Sequence, residues 1–402
     1  MLNLVRIVST LICVQWIEPS MMAVWTYLTV YETYFMIFRF GVFNAFNREY
    51  AYLLGKSESK SALEYLNTTE TFALILSVFI GITFFLSMTF FQMNLPFWTF
   101  GVLIFSMVLP IKIYAGFKEL CYRSGSDFKK FAIIQYWTIF ANIVGIIFVY
   151  MNGFEGFLWR VLFIHIVILV VTLINRPQKF KLFFDGGIFI RLFKDGIPLF
   201  FSNYGQSLLS TFPVWFLSYF VGPIAVGLFY PVSLVVSLVG MLPGIISIYL
   251  LPQLNFALGR DQDPSSIIER SKSTTSKTAF YLLPFCVIGM LLVPFFISWV
   301  LPKYSEAILA SQIAFLLGWF QVFNLLGNPF SVLKSWNLLY QNIIIQIVIH
   351  ALIPFTLMTI IKTEYKIELL LISLILSKIF CIIVNYFQLS RLKMNKNRIE
   401  IN

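Results

Sequence analysis

Charge is scarce in this chain of 402 residues: 12% are charged, against roughly 25% in an average soluble domain. With 59% hydrophobic residues, a water-soluble globule of this size could not hide its apolar surface, so the chain's solvent is lipid. Histidine is almost missing, with two residues, and both fall inside apolar runs; a Ser-His-Asp hydrolase is excluded on that ground. The four cysteines, Cys13, Cys121, Cys286 and Cys381, are far apart and form no CxxC pair, so neither a disulfide framework nor a zinc site is expected. There is no GxxxxGK[ST] and no HExxH, hence no built-in ATPase and no zincin. The longest polar stretch is about 25 residues, too short for an extramembrane catalytic domain. Acid is short of base, 18 Asp and Glu against 29 Lys and Arg, giving +11. Lys and Arg gather in the cytoplasmic loops of membrane proteins, so this excess predicts topology and no nucleic-acid partner.

What is present is a series of apolar runs long enough to span a bilayer. Twelve are found: 2–16, 22–43, 65–91, 97–120, 131–150, 157–174, 197–220, 225–251, 278–301, 311–332, 342–361 and 367–389. The first is short. It lacks a small-residue cleavage site, so a helix whose first turns precede this chain fits better than a signal peptide. Alternate loops differ sharply in basic residues: 21 Lys and Arg lie on one side and 4 on the other. That asymmetry puts both termini in the cytoplasm. Aromatics reach 18%, led by 45 Phe, enough for belts at both interfaces and for lining a cavity.

The halves echo one another at an offset of 204 residues. Pro19 matches Pro223 and Trp25 matches Phe229. Tyr52, Leu54, Gly55 and Lys56 match Phe256, Leu258, Gly259 and Arg260. The expected organisation is an N-terminal six-helix bundle (1–180), a cytoplasmic amphipathic linker (181–196) and a C-terminal six-helix bundle with a short basic tail (197–402). The fold class is all-α integral membrane, twelve transmembrane helices in two parallel six-helix bundles around a central cleft.

The segment Phe40-Gly41-Val42-Phe43-Asn44-Ala45-Phe46-Asn47-Arg48-Glu49-Tyr50, followed by Gly55-Lys56, resembles a recurring motif of the polysaccharide flippases. Leu251-Pro252-Gln253-Leu254 with Gly259-Arg260 resembles the corresponding loop of their second half. These proteins belong to the multidrug/oligosaccharidyl-lipid/polysaccharide exporter superfamily, and the resemblance covers essentially the whole chain. It implies translocation of an undecaprenyl-pyrophosphate-linked oligosaccharide, for O-antigen, capsule or exopolysaccharide assembly, across a bacterial cytoplasmic (inner) membrane by alternating access. The implied partners are the lipid-linked oligosaccharide, membrane lipids and the polysaccharide polymerase machinery. Two departures stand out. Arg39 occupies a place that is often acidic in the family, and the first helix lacks the Asp of many cation-coupled drug exporters.

Ionisable residues deep in spans are functional candidates. Six are expected to bind substrate: Glu32 and Arg39 in the second span, Lys112 in the fourth, His165 in the sixth, His350 in the eleventh and Lys378 in the twelfth. A pyrophosphate crossing hydrocarbon needs cationic donors in a wet cleft; Lys112 and Lys378 come from opposite halves, and Lys378 is too deep to reach water easily. Other readings stay open. Arg39 and Lys112 could snorkel to headgroups, Glu32 and Arg39 could neutralise one another, and the histidines could bridge helices or relay protons. Tyr27, Tyr31 and Trp215 are candidates for stacking on sugar rings. Asn44, Arg48 and Glu49 are assigned to gating at the cytoplasmic loop. No cofactor and no metal are expected, with H⁺ or Na⁺ coupling open. The chain is read as a non-enzyme. The alternatives are a cation-coupled drug or metabolite antiporter of the same superfamily and a membrane-embedded glycan polymerase or ligase. Short outer loops weigh against the enzyme.

Overall fold

A computed structural model describes residues 2–125, 127–174, 181–261 and 263–399. Among the described residues every regular element is helical. That is the form an open-ended apolar chain must take in lipid, where each backbone N–H and C=O needs a partner from its own segment. Eight helical stretches are long and apolar enough to cross a membrane by length and composition. Phe128–Ile174 carries two of the expected spans. Three further runs form shorter helices, which restores the count of twelve. The chain divides into two compact units, Met1–Tyr204 and Gly205–Asn402.

The first unit holds α1 (Leu2–Val14), α2 (Pro19–Phe35), α3 (Val42–Gly55), α4 (Ser59–Phe90), α5 (Trp98–Ser124), α6 (Phe128–Ile174) and α7 (Gly186–Leu209) as far as Tyr204. Pro19 opens α2 at a position where its missing N–H costs nothing. The expected second span is broken. After α2 the chain makes a 3-10 turn, Met36–Arg39, and Phe40 (φ 45°) and Gly41 (φ 77°) both adopt left-handed backbone. Gly41 is required twice over, because a Cβ there would lie 2.3 Å from the Gly196 carbonyl oxygen. At about 1.5 Å per residue, the 47 residues of α6 would run roughly 70 Å, more than twice the hydrocarbon core. The chain reverses instead at Gly153, whose φ of 55° and ψ of −126° suit glycine alone. α4 packs along α5, α5 along α6, and α1 along α6, around a core that includes Ala115, Ile134, Ala141, Ile164 and Ile168.

The segment expected as a separate linker differs from that reading. Residues 181–185 are not helical, and from Gly186 the chain is already α7. It is tied to the first unit: Thr71 Oγ1 donates to Phe183 O (2.9 Å), the Asp185 N–H donates to Thr68 Oγ1 (3.3 Å), and Arg191 donates to the Tyr65 hydroxyl (3.2 Å). Arg176 and Lys179, just before the expected linker, lie outside the described residues, as do the side chains of Lys393, Lys396 and Arg398 in the tail.

The second unit holds the end of α7, α8 (Phe212–Phe220), α9 (Pro223–Asp261), α10 (Pro264–Val300), α11 (Ile308–Phe320), α12 (Asn328–Val332), α13 (Trp336–Ile360) and α14 (Lys366–Ile399). Pro223 begins α9 as Pro19 begins α2, so the repeat's first landmark has the same structural role in both halves. Asp263 caps α10, accepting from the N–H groups of Ser265 (2.8 Å) and Ser266 (3.0 Å). Lys366 Nζ closes α8 by donating to Phe220 O at 3.0 Å. Ile268, Leu326, Phe330, Leu339, Ile343 and Leu389 form a core, and α13 lies along α14.

Candidate functional site

The six deep residues fall into two groups, one in each unit. In the first unit Glu32 sits 13 residues into α2 from Pro19, and Lys112 sits 14 residues into α5 from Trp98. The two side chains therefore share a depth and form an ion pair of 2.5 Å. Lys112 is 41% exposed and Glu32 only 13%, so the carboxylate is the more buried partner. His165, on the second arm of α6, lies within electrostatic reach of both. Its Nδ1 donates to Val161 O of its own helix at 2.8 Å, so this nitrogen neither bridges helices nor faces a proton partner. α2 ends between Glu32 and Arg39, and Glu32 pairs with Lys112, while its charge also acts on Arg39. Arg39 leans over the Phe43 ring at 5.8 Å.

A second ion pair in this unit uses Lys118, which is counted with the basic residues of the inner side and lies at the inner end of the fourth expected span. Lys118 is 5% exposed and pairs with Glu70, 2% exposed. Tyr114 donates to the same carboxylate oxygen at 2.8 Å. A signal for the pair is present in the sequence. Glu70 lies 20 residues before the end of α4 (Phe90) and Lys118 lies 20 residues after the start of α5 (Trp98). Antiparallel neighbours place such residues at one depth. Arg160, counted with the outer side, is also interior at 2% exposed. It donates to Ser9 Oγ (2.7 Å) and Asn142 Oδ1 (3.2 Å).

In the second unit Lys378 of α14 and His350 of α13 line a cavity of about 530 Å³. Its polar lining is Gln206, Ser210, Ser233, Ser237, Gln321 and Asn324, with Phe229, Leu317 and Leu374 among the apolar walls. No carboxylate is among the described lining residues. Lys378 Nζ reaches Asn324 Oδ1 at 3.5 Å. His350 Nδ1 donates to Gln346 O at 2.9 Å and lies 3.8 Å from Cys381 Sγ. Beneath it runs a buried carboxamide chain. Gln206 donates to Gln346 (3.0 Å), Gln346 donates to Asn342, and Asn342 donates to Gln388 (2.8 Å) and Asn385. Asn342, Gln346 and His350 are four apart, a polar stripe on one face of α13 that sequence reasoning did not use. Among the described residues no group of His, Cys, Asp and Glu is arranged to hold a metal.

The gating candidates lie on α3, the helix that continues the motif. Asn44 is exposed on its first turn. Arg48 pairs with Glu49 at 2.9 Å and Asp195 of α7 at 3.5 Å. Of the aromatic candidates, Tyr27 is fully buried in the first unit and offers no face to a ligand. Tyr31 packs edge-on against Trp98 at 6.2 Å.

Solved structures share this architecture. The chain is similar to an inward-facing multidrug resistance MATE family transporter of the MOP superfamily, with a TM-score of 0.78 at 15% identity, covering 98% of this chain and 96% of that one. It is similar to an outward-facing transporter of the same description, with a TM-score of 0.68 at 15% identity over 98% and 94% of the two chains. A MOP superfamily transporter from Pyrococcus furiosus, described by the reverse polarity of its binding pocket, gives a TM-score of 0.65 at 15% identity, again over 98% and 94%. No curated protein matches the chain significantly in sequence. The fold is therefore that of the MOP superfamily transporters, in a multi-pass membrane protein. The chain belongs to the polysaccharide biosynthesis protein family, whose model matches residues 50–309, nearly two thirds of its length.

Proposed function

We propose that the protein is a flippase that carries an undecaprenyl-pyrophosphate-linked oligosaccharide across the cytoplasmic membrane by alternating access. The observation that carries the reading is the Lys378 cavity. One ammonium stands among hydroxyls and carboxamides with no carboxylate in the described lining. Such a lining attracts an anionic phosphate and offers donors and acceptors to sugar hydroxyls. A volume of about 530 Å³ suits part of a glycan head, within the usual range of ligand sites. The polyprenyl tail stays in lipid while the head is carried. An inside-negative potential favours export of the anionic head, by about 2.3 kcal/mol per charge per 100 mV. The basic asymmetry of the loops supports cytoplasmic termini.

The scheme uses no cofactor and makes no covalent bond. Membership of a polysaccharide biosynthesis family supports the glycan cargo over a drug. The only deep acid named as a candidate, Glu32, is held by Lys112, which weighs against a free carboxylate for a cationic drug.

The test is deletion of the gene in the native host, with measurement of which leaflet holds the lipid-linked oligosaccharide. Accumulation in the inner leaflet is expected, relieved by the wild type and by Lys378→Arg at least in part, but not by Lys378→Ala. Arrival of the cargo in the outer leaflet of the deletion strain, with no redundant carrier present, would refute the flippase and bring the antiporter forward. Collapsing the H⁺ and Na⁺ gradients separately in the same assay reads the coupling ion.

A further inference from the structure

A second cavity lies in the second unit, between α9 and the first turns of α10, with a volume of about 410 Å³. Glu269, Arg270, Ser273, Thr274 and Lys277 line it from α10, with Gln253 opposite. The spacing is structural. Residues three, four and seven apart on a helix share a face, so Arg270, Ser273, Thr274 and Lys277 form a stripe of two cations and two hydroxyls. Lys272 belongs to another face, with its ammonium 5.2 Å from the Tyr386 ring.

The depth of this stripe follows from length. α10 has 37 residues, about 55 Å at 1.5 Å per residue, while the hydrocarbon core is about 30 Å thick. Its apolar part begins at Thr278, so the polar turns before it project about 20 Å beyond the hydrocarbon. Lys277 stands at the boundary itself. Just beyond it on α10, Phe280 and Tyr281 are 73% and 69% exposed; on α9, before Leu250, Ile248 and Tyr249 are 70% and 68% exposed. A cationic, hydroxyl-bearing cavity at headgroup depth thus continues into open apolar faces. This is the profile of an amphiphile's site, and a soluble anion would use only half of it.

We propose that this cavity binds the phosphodiester headgroup of an anionic phospholipid, with its acyl chains lying on the exposed faces of α9 and α10. The described lining carries two cations, Arg270 and Lys277, beside one carboxylate, Glu269, a mixed set that suits a phosphodiester. Arg270 supplies the planar fork for two phosphate oxygens and Lys277 a mobile point charge. Ser273 and Thr274 donate to the remaining oxygens. The site is separate from the Lys378 cavity and does not depend on what that cavity carries.

The test uses the full chain purified in detergent and native mass spectrometry with phosphatidylglycerol, phosphatidylethanolamine or inorganic phosphate. Phosphatidylglycerol should be retained in preference to phosphatidylethanolamine. The double variant R270A/K277A should weaken it about thirty-fold, from about 1 kcal/mol per basic residue near a membrane surface. K272A/K334A removes the same charge outside the cavity and should stay within about twofold of wild type, since an exposed charge off the site adds little. S273A/T274A keeps both cations; it should reduce retention several-fold and provides the reading if R270A/K277A fails to fold. Equal retention of the two lipids, or equal loss in both charge variants, would overturn the proposal. Complete displacement by millimolar inorganic phosphate would make the site one for a soluble anion and overturn the lipid assignment.

Discussion

Removing Glu70 should be among the most damaging single changes in the first unit. Its carboxylate holds Lys118 and accepts from Tyr114, and the paired side chains of Glu70 and Lys118 are 3% and 7% exposed. In Glu70→Ala the ammonium stays inside the bundle without its counter-charge. Breaking a buried pair from one side costs about 3–5 kcal/mol. Loss of the acceptor for the Tyr114 hydroxyl adds about 1 kcal/mol or more. Together these come to about 4 kcal/mol or more and lower the folding equilibrium by a factor of roughly 700 or more, since each 1.4 kcal/mol is tenfold. The double replacement Glu70→Leu/Lys118→Met removes both charges at similar volume and should recover most of the loss, because a hydrophobic substitute for a buried pair is often neutral. The assay is unfolding of the purified chain in detergent, comparing wild type, each single variant and the double. A cycle in which the double loses as much as the two singles combined would mean that the two groups act independently, and the buried-pair account would fail.

Three further outcomes follow from the same geometry. Gly41→Ala should destabilise the first unit by about 1–2 kcal/mol from its left-handed backbone alone, with more from the clash at Gly196, whereas the exposed Gly55→Ala, with nothing within 4 Å, should be close to neutral in the same unfolding assay. Arg160→Ala should loosen α1 from α6, since Arg160 bonds Ser9 and Asn142 and its stem fills the space beside Gly145; protease sensitivity near residue 16 should rise, and an unchanged digest would refute the role. Reporter fusions at both ends should be active only on the cytoplasmic side, and a periplasmic reading at either end would overturn the topology drawn from the loops.

Several features are legible in the residues for plain physical reasons. A bilayer of fixed thickness demands runs of fixed length, so twelve spans can be counted from hydropathy alone. Proline at an opening turn marks the start of both α2 and α9. Deep charges announce themselves because lipid makes them costly, and Glu32, Lys112, His350 and Lys378 stand out that way. Glu70 obeys the same rule inside the third run, but it lies near that run's edge, where a charge reads as interfacial. The buried carboxamide stripe on α13 is equally readable from its spacing of four.

Other features are decided only by packing. The ion pair between Glu32 and Lys112 joins residues 80 positions apart, and no local pattern says which of several equally deep groups will meet. Arg160 looks like a loop cation because the turn at Gly153 comes close before it, yet the neighbouring α1 covers it. The break after Phe35 depends on the contact of Gly41 with Gly196, from a helix more than 150 residues away. The cavity around Lys378 needs α7, α9, α11, α13 and α14 at once. By itself the sequence determined the solvent and the number of crossings, because these follow from hydropathy summed along the chain. Tertiary structure alone decided which charge meets which and where space is left between helices, because those depend on rotation and register, to which an apolar run is nearly indifferent.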